Sequence, residues 1–271
     1  MSCACGHDHA PHHHPADQLG GDPMTLATPM MALTGRLICE NAAQMVTALT
    51  LLPDHVTASR AEPGCLRFDL RQADEPGIWE LSELFTDADA FAAHQTRTGG
   101  SAWGQQSGDI KRDFARQAAQ PLIRPEITAD WAAIGDLLRA AFGGGEESTL
   151  VAALRRQGDL DLSLVAHQGG TIIGHVALSP VAAPFPALAL APVAVLPAMQ
   201  KRGVGGALIR AAQAMRPDHT IIVLGAPDYY GRFGFQPVGW DSPYAGPYLQ
   251  AMGPQIPGSA TITHAPAFAG V

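Results

Sequence analysis

The chain has 271 residues, of which 46% are hydrophobic and 15% are charged, and its formal net charge at pH 7 is −8. That length is typical of two domains of ordinary size, and the apolar share is sufficient for two buried cores. The negative charge argues against nucleic acid or an anionic membrane surface as a general partner. The longest apolar run, residues 181–197, contains four prolines, a density that a membrane-spanning helix does not tolerate. We therefore expect a soluble protein of the cytoplasm, with no nucleic-acid or membrane partner.

Residues 1–30 are rich in glycine, proline and polar side chains and lack apolar periodicity, which predicts a flexible tail. Thiolate and imidazole ligands suit zinc, nickel or copper, so the tail is a candidate site for zinc or another divalent transition metal. An adventitious chelating tail without a dedicated role is the alternative, because the spacing does not match a closed structural zinc site. The candidate ligands are Cys3, Cys5, His7, His9, His12, His13 and His14.

Residues 31–118 form the first predicted folded unit. Helical spacing over residues 41–60 follows a β-prone segment, and Pro53 should kink or split that helix. Strands with alternating apolar residues and a second helix follow, so the predicted order β-α-β-β-α-β is that of a ferredoxin-like fold. The predicted strands are 31–40, 65–71, 78–85 and 109–117, and the second helix is 86–97.

Several local motifs of this unit are shared with one family. They comprise Ser59–Cys65, Phe68, Trp79, Glu80, Phe85, Phe91 and His94. The unit thereby resembles the antibiotic-biosynthesis-monooxygenase (ABM) domains, dimeric α+β barrels in which the sheets of two protomers pack face to face. The resemblance implies a homodimer through residues 31–118, and we expect an apolar open sheet face that a partner sheet covers. Glu83, His94 and Trp103 are the candidates for a polar pocket.

Residues 119–271 form the second predicted unit. A strand precedes two helices, and the next two strands are joined across Gly169-Gly170, a strong hairpin signal. A further strand leads into a helix, another strand and a short helix. The predicted strands are 121–127, 160–167, 171–181, 188–196, 220–224 and 235–238. The first predicted helix begins at Thr128, Ala129 or Asp130 and ends at Phe142, and the others span 146–156, 203–215 and 227–233.

A strand, a loop and a glycine-rich helix start follow one another at residues 193–206. Free N–H groups at a helix start attract phosphate oxygens, and glycines allow a close approach of the anion. The pattern is Gln200-x-x-Gly203-x-Gly205, which is neither G-x-G-x-x-G nor a Walker A sequence. Downstream, Tyr230-x-x-x-Gly234-Phe235 follows.

The two motifs and the order of strands and helices resemble the GNAT N-acetyltransferase superfamily, in particular its YhbS-like branch. The resemblance implies an acetyl-CoA-dependent N-acetyltransferase that acts on a primary amine of a small molecule or peptide. The predicted fold class is therefore α+β: a ferredoxin-like ABM-type domain followed by a GNAT domain with a mixed sheet. Tyr230 is the implied general acid. The implied cofactor-binding residues are Val193, Ala194, Val195, Lys201, Arg202, Gly203, Val204, Gly205 and Gly206.

The general base is not evident, because residues 187–196 contain no acidic side chain. His175, on the adjacent predicted strand, is the candidate, since an imidazole pKa suits neutral pH. Asp228 or an ordered water is the alternative. Two other functions stay open: a cofactor-independent monooxygenase centred on residues 31–118 with an accessory GNAT domain, and a non-catalytic binding protein that responds to a metal or to acyl-CoA.

Overall fold

A computed structural model describes residues 20–270 of the chain, and the predicted metal ligands from Cys3 to His14 lie outside the described residues. In the first half of the chain the predicted order β-α-β-β-α-β is confirmed. One short helix that was not predicted lies between the second long helix and the last strand. In chain order the elements are β1 (Asp22–Pro23), β2 (Met30–Ile38), α1 (Ala42–Arg60), β3 (Cys65–Gln72), β4 (Ile78–Phe85), α2 (Ala88–Gly100), α3 (Ala102–Gln106) and β5 (Lys111–Ala119).

The first unit is a four-stranded antiparallel sheet in the order β3-β4-β2-β5, with α1 and α2 packed on one face. The strands alternate apolar and polar residues, so one face of each is available for the core. Leu33, Phe68 and Phe85 project from the sheet onto Phe91 of α2 in one buried cluster. The core of this unit therefore lies between the sheet and its helices.

Pro53 does not split α1, which runs without interruption from Ala42 to Arg60. A proline lacks the N–H that would bond the carbonyl four residues earlier, here that of Leu49. The Leu49 side chain is 54% exposed, so this side of the helix faces solvent and water can bond the freed carbonyl. None of the helices between residues 20 and 270 has the length and hydropathy that crossing a membrane requires.

The second unit is a mixed sheet, as predicted, and it has helices on both faces. Its strands follow the order β1-β6-β7-β8-β9-β10-β12-β11, with β13 on β8, and only the β9–β10 pair is parallel among the described strands. The elements are β6 (Leu122–Pro125), α4 (Trp131–Phe142), α5 (Glu146–Gln157), β7 (Leu162–Gln168), β8 (Thr171–Ala182), β9 (Ala187–Val195), α6 (Val204–Met215), β10 (Thr220–Leu224), α7 (Pro227–Tyr230), β11 (Gln236–Pro237), β12 (Leu249–Met252) and β13 (Thr263–His264).

The predicted tail is wrong for residues 22–26, which pack against the second unit, and for Met30, which begins β2. Asp22 and Pro23 form β1 and pair with β6, and the Met24 N–H donates to the carbonyl of Pro121 at 3.0 Å. Met24 and Leu26 are buried. Met24 and Leu26 are separated by one polar residue and therefore share a face of the extended chain. Two apolar residues are too few for an alternating pattern, so the sequence did not predict a strand here.

The open face of the first sheet is not the apolar surface that the sequence predicted. At one end, Ala32 and Leu84 belong to the same buried cluster as the core of the second unit. The pairing register places charged residues along the rest of the face, where strand alternation alone decides which side chains point outward. These residues are Arg36, Asp69, Arg71, Glu80, Lys111 and Asp113.

Candidate active site and its family

A cleft opens where β9 and β10 separate. The two strands pair only at residues 187–189 of β9, and the last two residues of β10 have no partner on that strand. A bulge in the β8–β9 pairing lies just before Val193, which turns the end of β9 away from the regular ladder. The cleft between β9, the start of α6 and α7 has a volume of about 920 Å³.

Strand alternation directs some of the backbone polar groups of β9 toward this cleft rather than toward β8. The N–H of Leu196 donates to the carbonyl of Ile173 at 3.0 Å, so this residue directs its backbone toward β8. Because alternate residues of a strand direct their polar groups to opposite neighbours, Ala194 also faces β8. Val193 and Val195 therefore direct theirs toward the cleft, as an added strand-like ligand requires.

The loop before α6 has the backbone of an anion-binding turn. Lys201 has φ 61° and Gly203 has φ 92°, so two left-handed residues flank Arg202 and turn the chain into the helix. A β-carbon at Gly205 would lie 3.0 Å from the Tyr229 hydroxyl, so this glycine keeps the helix start open to a ligand. The N–H groups of the first turn of α6, which begins at Val204, have no helical partner.

Three cationic side chains line the cleft, and none of its lining residues within the described part of the chain is acidic. They are Lys201, Arg210 and Arg232. Arg210 lies four residues after Gly206, one helical turn on, and Arg232 lies within the Y-x-x-x-G-F motif. The sequence reasoning missed both arginines as residues of the cleft, although their spacing from the two motifs would have indicated them.

Arg202 does not line the cleft, contrary to its predicted contact with the cofactor. Its guanidinium donates to the carbonyl of Thr28 at 2.9 Å, and it lies 3.4 Å from a carboxylate oxygen of Asp87. The physical reason is that the segment before the first unit presents an acceptor, and the first unit itself a negative charge, beside this loop, which no local pattern indicates.

Tyr230 and Tyr229 both line the cleft, and their rings meet edge to face with centroids 4.9 Å apart. Tyr230 also packs on Phe235, which fixes the ring from its other side. Burial, with a smaller contribution from Tyr229, raises the pKa of Tyr230 to about 12. Its hydroxyl therefore keeps its proton at neutral pH and can donate it.

His175 is fully buried and does not line the cleft, so the position predicted for the general base is not one that a substrate reaches. Its Nε2 lies 2.8 Å from the Ser163 hydroxyl. Burial, opposed by Glu126, lowers the pKa of His175, so the imidazole is neutral at pH 7. Successive side chains of β8 point alternately to the two helical layers. Gly174 faces α6, so His175 faces the opposite layer, where it lies near Glu126.

Glu126 is the centre of a buried polar network that the sequence did not indicate. Its carboxylate accepts two hydrogen bonds from Arg155, at 2.7 and 2.8 Å, and one from the Ser163 hydroxyl. Burial works to raise the pKa of Glu126, but the interactions with His175, Arg155 and Ser163 outweigh it and lower that pKa to about 2. The network joins β6, α5, β7 and β8, and we interpret it as structural.

A second, smaller cavity of about 140 Å³ lies in the first unit, and Glu83, His94 and Trp103 all line it, as predicted. His94 Nδ1 lies 2.8 Å from a carboxylate oxygen of Glu62, and His94 Nε2 lies 3.9 Å from Glu83 Oε2. Glu83 Oε2 is buried and has no hydrogen-bond partner among the described residues. Burial, reinforced by the charge of Glu62, raises the pKa of Glu83 to about 8.

The predicted metal site stays a prediction. Between residues 20 and 270, no group of three or more His, Cys, Asp or Glu side chains is arranged to hold a metal ion. The residues proposed as ligands, from Cys3 to His14, lie outside the described residues.

Family models match both units. The acetyltransferase (GNAT) domain model matches residues 159–237, and the antibiotic biosynthesis monooxygenase model matches residues 42–104. YjhQ of Escherichia coli K12, an uncharacterized N-acetyltransferase, is 35% identical to the chain over 131 residues, which cover 44% of this chain and 72% of YjhQ. YhbS of the same strain, also an uncharacterized N-acetyltransferase, is 37% identical over 122 residues, which cover 42% of this chain and 73% of YhbS.

The fold of the second unit is also found among solved structures. The crystal structure of the GNAT family N-acetyltransferase YhbS from Escherichia coli in complex with CoA has 29% sequence identity and a TM-score of 0.52, covering 56% of this chain and 94% of YhbS. Similarity over more than two thirds of YjhQ and YhbS reaches well beyond the two motifs. The chain belongs to the GNAT N-acetyltransferase superfamily and is an acyltransferase, with an ABM domain on the N-terminal side of its GNAT domain.

Proposed function

We propose that the protein transfers the acetyl group of acetyl-CoA to a primary amine of a small molecule or peptide. The observation that carries the proposal is the cleft at the end of β9, where strand backbone that β10 does not pair, a left-handed glycine loop and three cations converge. Those features suit a ligand with an amide-containing arm and phosphate groups. The complex of YhbS with CoA supports the same assignment.

In this proposal the backbone of Val193 and Val195 pairs with the pantetheine arm, with Ala194 holding the strand to β8. The pyrophosphate accepts hydrogen bonds from N–H groups at the start of α6 and lies among the cationic side chains. The residues that hold it are Lys201, Gly203, Val204, Gly205 and Gly206, joined by Arg210 and Arg232. Arg202 acts on this loop from outside the cleft.

The chemistry is direct attack of the amine nitrogen on the thioester carbonyl carbon. A C–N bond forms, the C–S bond breaks, and the leaving thiolate takes the proton of the Tyr230 hydroxyl. Holding both reactants in one cleft supplies a large part of the rate enhancement. Because His175 is buried away from the cleft, we propose that water, rather than this imidazole, accepts the proton of the amine.

The decisive experiment combines binding and turnover. The purified protein is titrated with CoA in a calorimeter and then incubated with acetyl-CoA and a panel of primary amines, with the released thiol as the readout. We expect saturable binding and release of CoA that depends on one class of amine. Binding without release for any amine would contradict the transfer reaction, and the absence of binding would contradict the assignment of the cleft.

For the remaining regions, we propose residues 31–118 as the ABM domain and 119–271 as the GNAT domain. The Glu83 cavity supports a ligand-binding role for the ABM domain, because a buried carboxyl without a partner can bond a polar group of a small ligand. Oxygen uptake with a quinol would favour the monooxygenase alternative for this domain.

We also propose a homodimer through the ABM domain, zinc or another divalent transition metal on the tail, and a cytoplasmic location.

A further inference from the structure

Arg202 joins the two domains at the loop that precedes α6. Its Nη2 donates to the carbonyl of Thr28 at 2.9 Å, and its Nη1 lies 3.4 Å from Asp87 Oδ2 and 3.7 Å from the sulfur of Met199. The side chain is only 18% exposed. The two terminal nitrogens of the guanidinium thus contact two different groups, the carboxylate of Asp87 and the carbonyl of Thr28.

Asp87 serves two structures at once. One of its carboxylate oxygens, Oδ1, accepts the N–H of Ala90 at 2.9 Å and caps the start of α2 in the ABM domain. The other oxygen faces Arg202. The same carboxylate therefore fixes the position of a helix in one domain and of a loop in the other.

The loop needs such an anchor because its backbone is strained. Lys201 has φ 61° and is the only residue other than glycine with a positive φ in the described part of the chain. A residue with a side chain adopts that conformation only when its surroundings impose it. Both of its neighbours are held: the Gln200 amide donates to the carbonyl of Val195 at 3.2 Å, and Arg202 is held by the Thr28 carbonyl, just before the ABM domain, and by Asp87 within it.

We propose that Arg202 is a positioning residue through which the ABM domain holds the phosphate-binding loop in its binding conformation. The inference rests on the proposed function, since it concerns the affinity of the cleft for acetyl-CoA. Without the anchor the loop occupies other conformations, and the apparent dissociation constant rises by the inverse of the competent fraction. The chemical step is unaffected once the cofactor is bound, because Arg202 touches neither the acetyl group nor Tyr230.

The direct alternative is that Arg202 itself binds a phosphate. It predicts a different change in CoA affinity for Asp87→Asn. Asp87→Asn keeps an oxygen that caps α2, because asparagine is as good an N-cap as aspartate. The substitution removes the charge that holds Arg202. If Arg202 bound phosphate directly, freeing it and deleting a nearby negative charge would leave the affinity for CoA unchanged or increase it. If Arg202 positions the loop, the affinity falls.

The test measures CoA binding by calorimetry and steady-state turnover for the full chain and three variants: Asp87→Asn, Arg202→Lys and Asp89→Asn. Asp89→Asn is the matched control, because it removes the same charge from the first turn of α2 at an exposed position with no ion pair among the described residues. In the first two variants we expect the dissociation constant for CoA and the KM for acetyl-CoA to rise by about fivefold or more. We expect kcat to stay within about twofold of that of the unaltered protein. Lysine retains the charge but cannot span both acceptors.

The outcomes separate the inference from the proposed function. If the unaltered protein does not bind CoA, the proposed function fails. If it binds CoA and Asp87→Asn binds equally well or more tightly, the positioning role is overturned. Thermal unfolding of Asp87→Asn is measured in parallel, and an unchanged midpoint with weakened binding attributes the loss to the loop. If Arg202→Lys retains full affinity, the two-sided anchor is likewise overturned.

Discussion

Tyr230 is the residue on which the proposed chemistry depends most directly. Its ring is held by Tyr229 and Phe235, and its hydroxyl is protonated at neutral pH. We expect Tyr230→Phe to lower kcat by about 10²–10⁴-fold, the usual contribution of a general acid, with little change in CoA binding. Stopped-assay kinetics on an identified amine and calorimetry with CoA measure the two effects.

Tyr229→Phe is the control for that variant, because it removes a neighbouring hydroxyl from the same cleft and retains the ring. We expect it to have a smaller effect on kcat. Full activity of Tyr230→Phe would mean that solvent or another donor protonates the thiolate. Because burial raises the pKa of Tyr230 to about 12, ionisation of this group should not limit activity below about pH 11.

Glu83 makes the stability of the ABM domain depend on pH. Burial raises its pKa in the folded state to about 8 from an ordinary value of 4.5. A group whose pKa rises on folding stabilises the protein fully below its unfolded pKa, and that contribution is lost as the pH rises through the folded pKa. We therefore expect Glu83→Gln to gain stability relative to the unaltered protein as the pH rises from 5 to 8.

Urea unfolding at both ends of this range tests the prediction. The carboxylate of Glu126 has the opposite dependence, since its pKa is lowered to about 2, and its contribution is lost only as the pH falls from about 4.5 toward that value. It is common to both proteins and cancels in the difference. Parallel pH dependences of the unfolding free energy would show that Glu83 does not titrate as proposed.

At the level of elements, the start of α6 is open because Gly205 has no side chain. A valine there would bring its β-carbon to 3.0 Å from the Tyr229 hydroxyl and 3.5 Å from Val195, and its methyl groups would fill the cleft. We expect Gly205→Val to abolish measurable CoA binding. Gly99→Val is the control, because Gly99 also lies in a helix but has open space at the β-carbon position. Unimpaired CoA binding by Gly205→Val would place the phosphates elsewhere.

The elements also show which patterns can be read locally. β10 lies at the predicted residues 220–224, and α6 begins one residue after the predicted 203. α6 has a buried face whose spacing is set by the helix period, and β10 is a short apolar run that is buried on both faces. β12, which pairs with β10, was missed because the stretch before it is rich in glycine and proline and its four residues provide no periodicity.

For the whole molecule, the charged open face changes what a homodimer would look like. The face presents both signs, with Arg71 and Glu80 in an ion pair at 2.5 Å, so two copies related by a twofold axis can offer opposite charges to each other. We expect a dimer whose dissociation constant rises with salt, because exposed ion pairs are screened. Light scattering at low and high ionic strength measures this. A monomer at both salt concentrations would contradict the dimer.

The tail prediction is sharpened by the position of β1. Deleting residues 2–19 removes the seven thiol and imidazole ligands and leaves β1, Met24 and Leu26 in place. We expect the truncated protein to lose zinc binding in a chelator competition assay and to retain its turnover of acetyl-CoA. Zinc binding at full stoichiometry after truncation would exclude the tail as the site, and a loss of turnover would make the tail part of the catalytic machinery.

The sequence by itself determined the order of the longer helices and strands, the two families, and the residues that form the loop before α6. The elements and the loop follow from periodicities and glycine positions that act within a few residues of the chain, and the families follow from the resemblance of local motifs. Only the tertiary structure decided where Arg202, His175 and the open sheet face are directed. Arg202 meets Asp87, which is 115 residues away in sequence, and His175 faces Glu126 across two strands. Such contacts depend on how two domains and two sheet faces pack, and no local pattern encodes which neighbour a side chain meets.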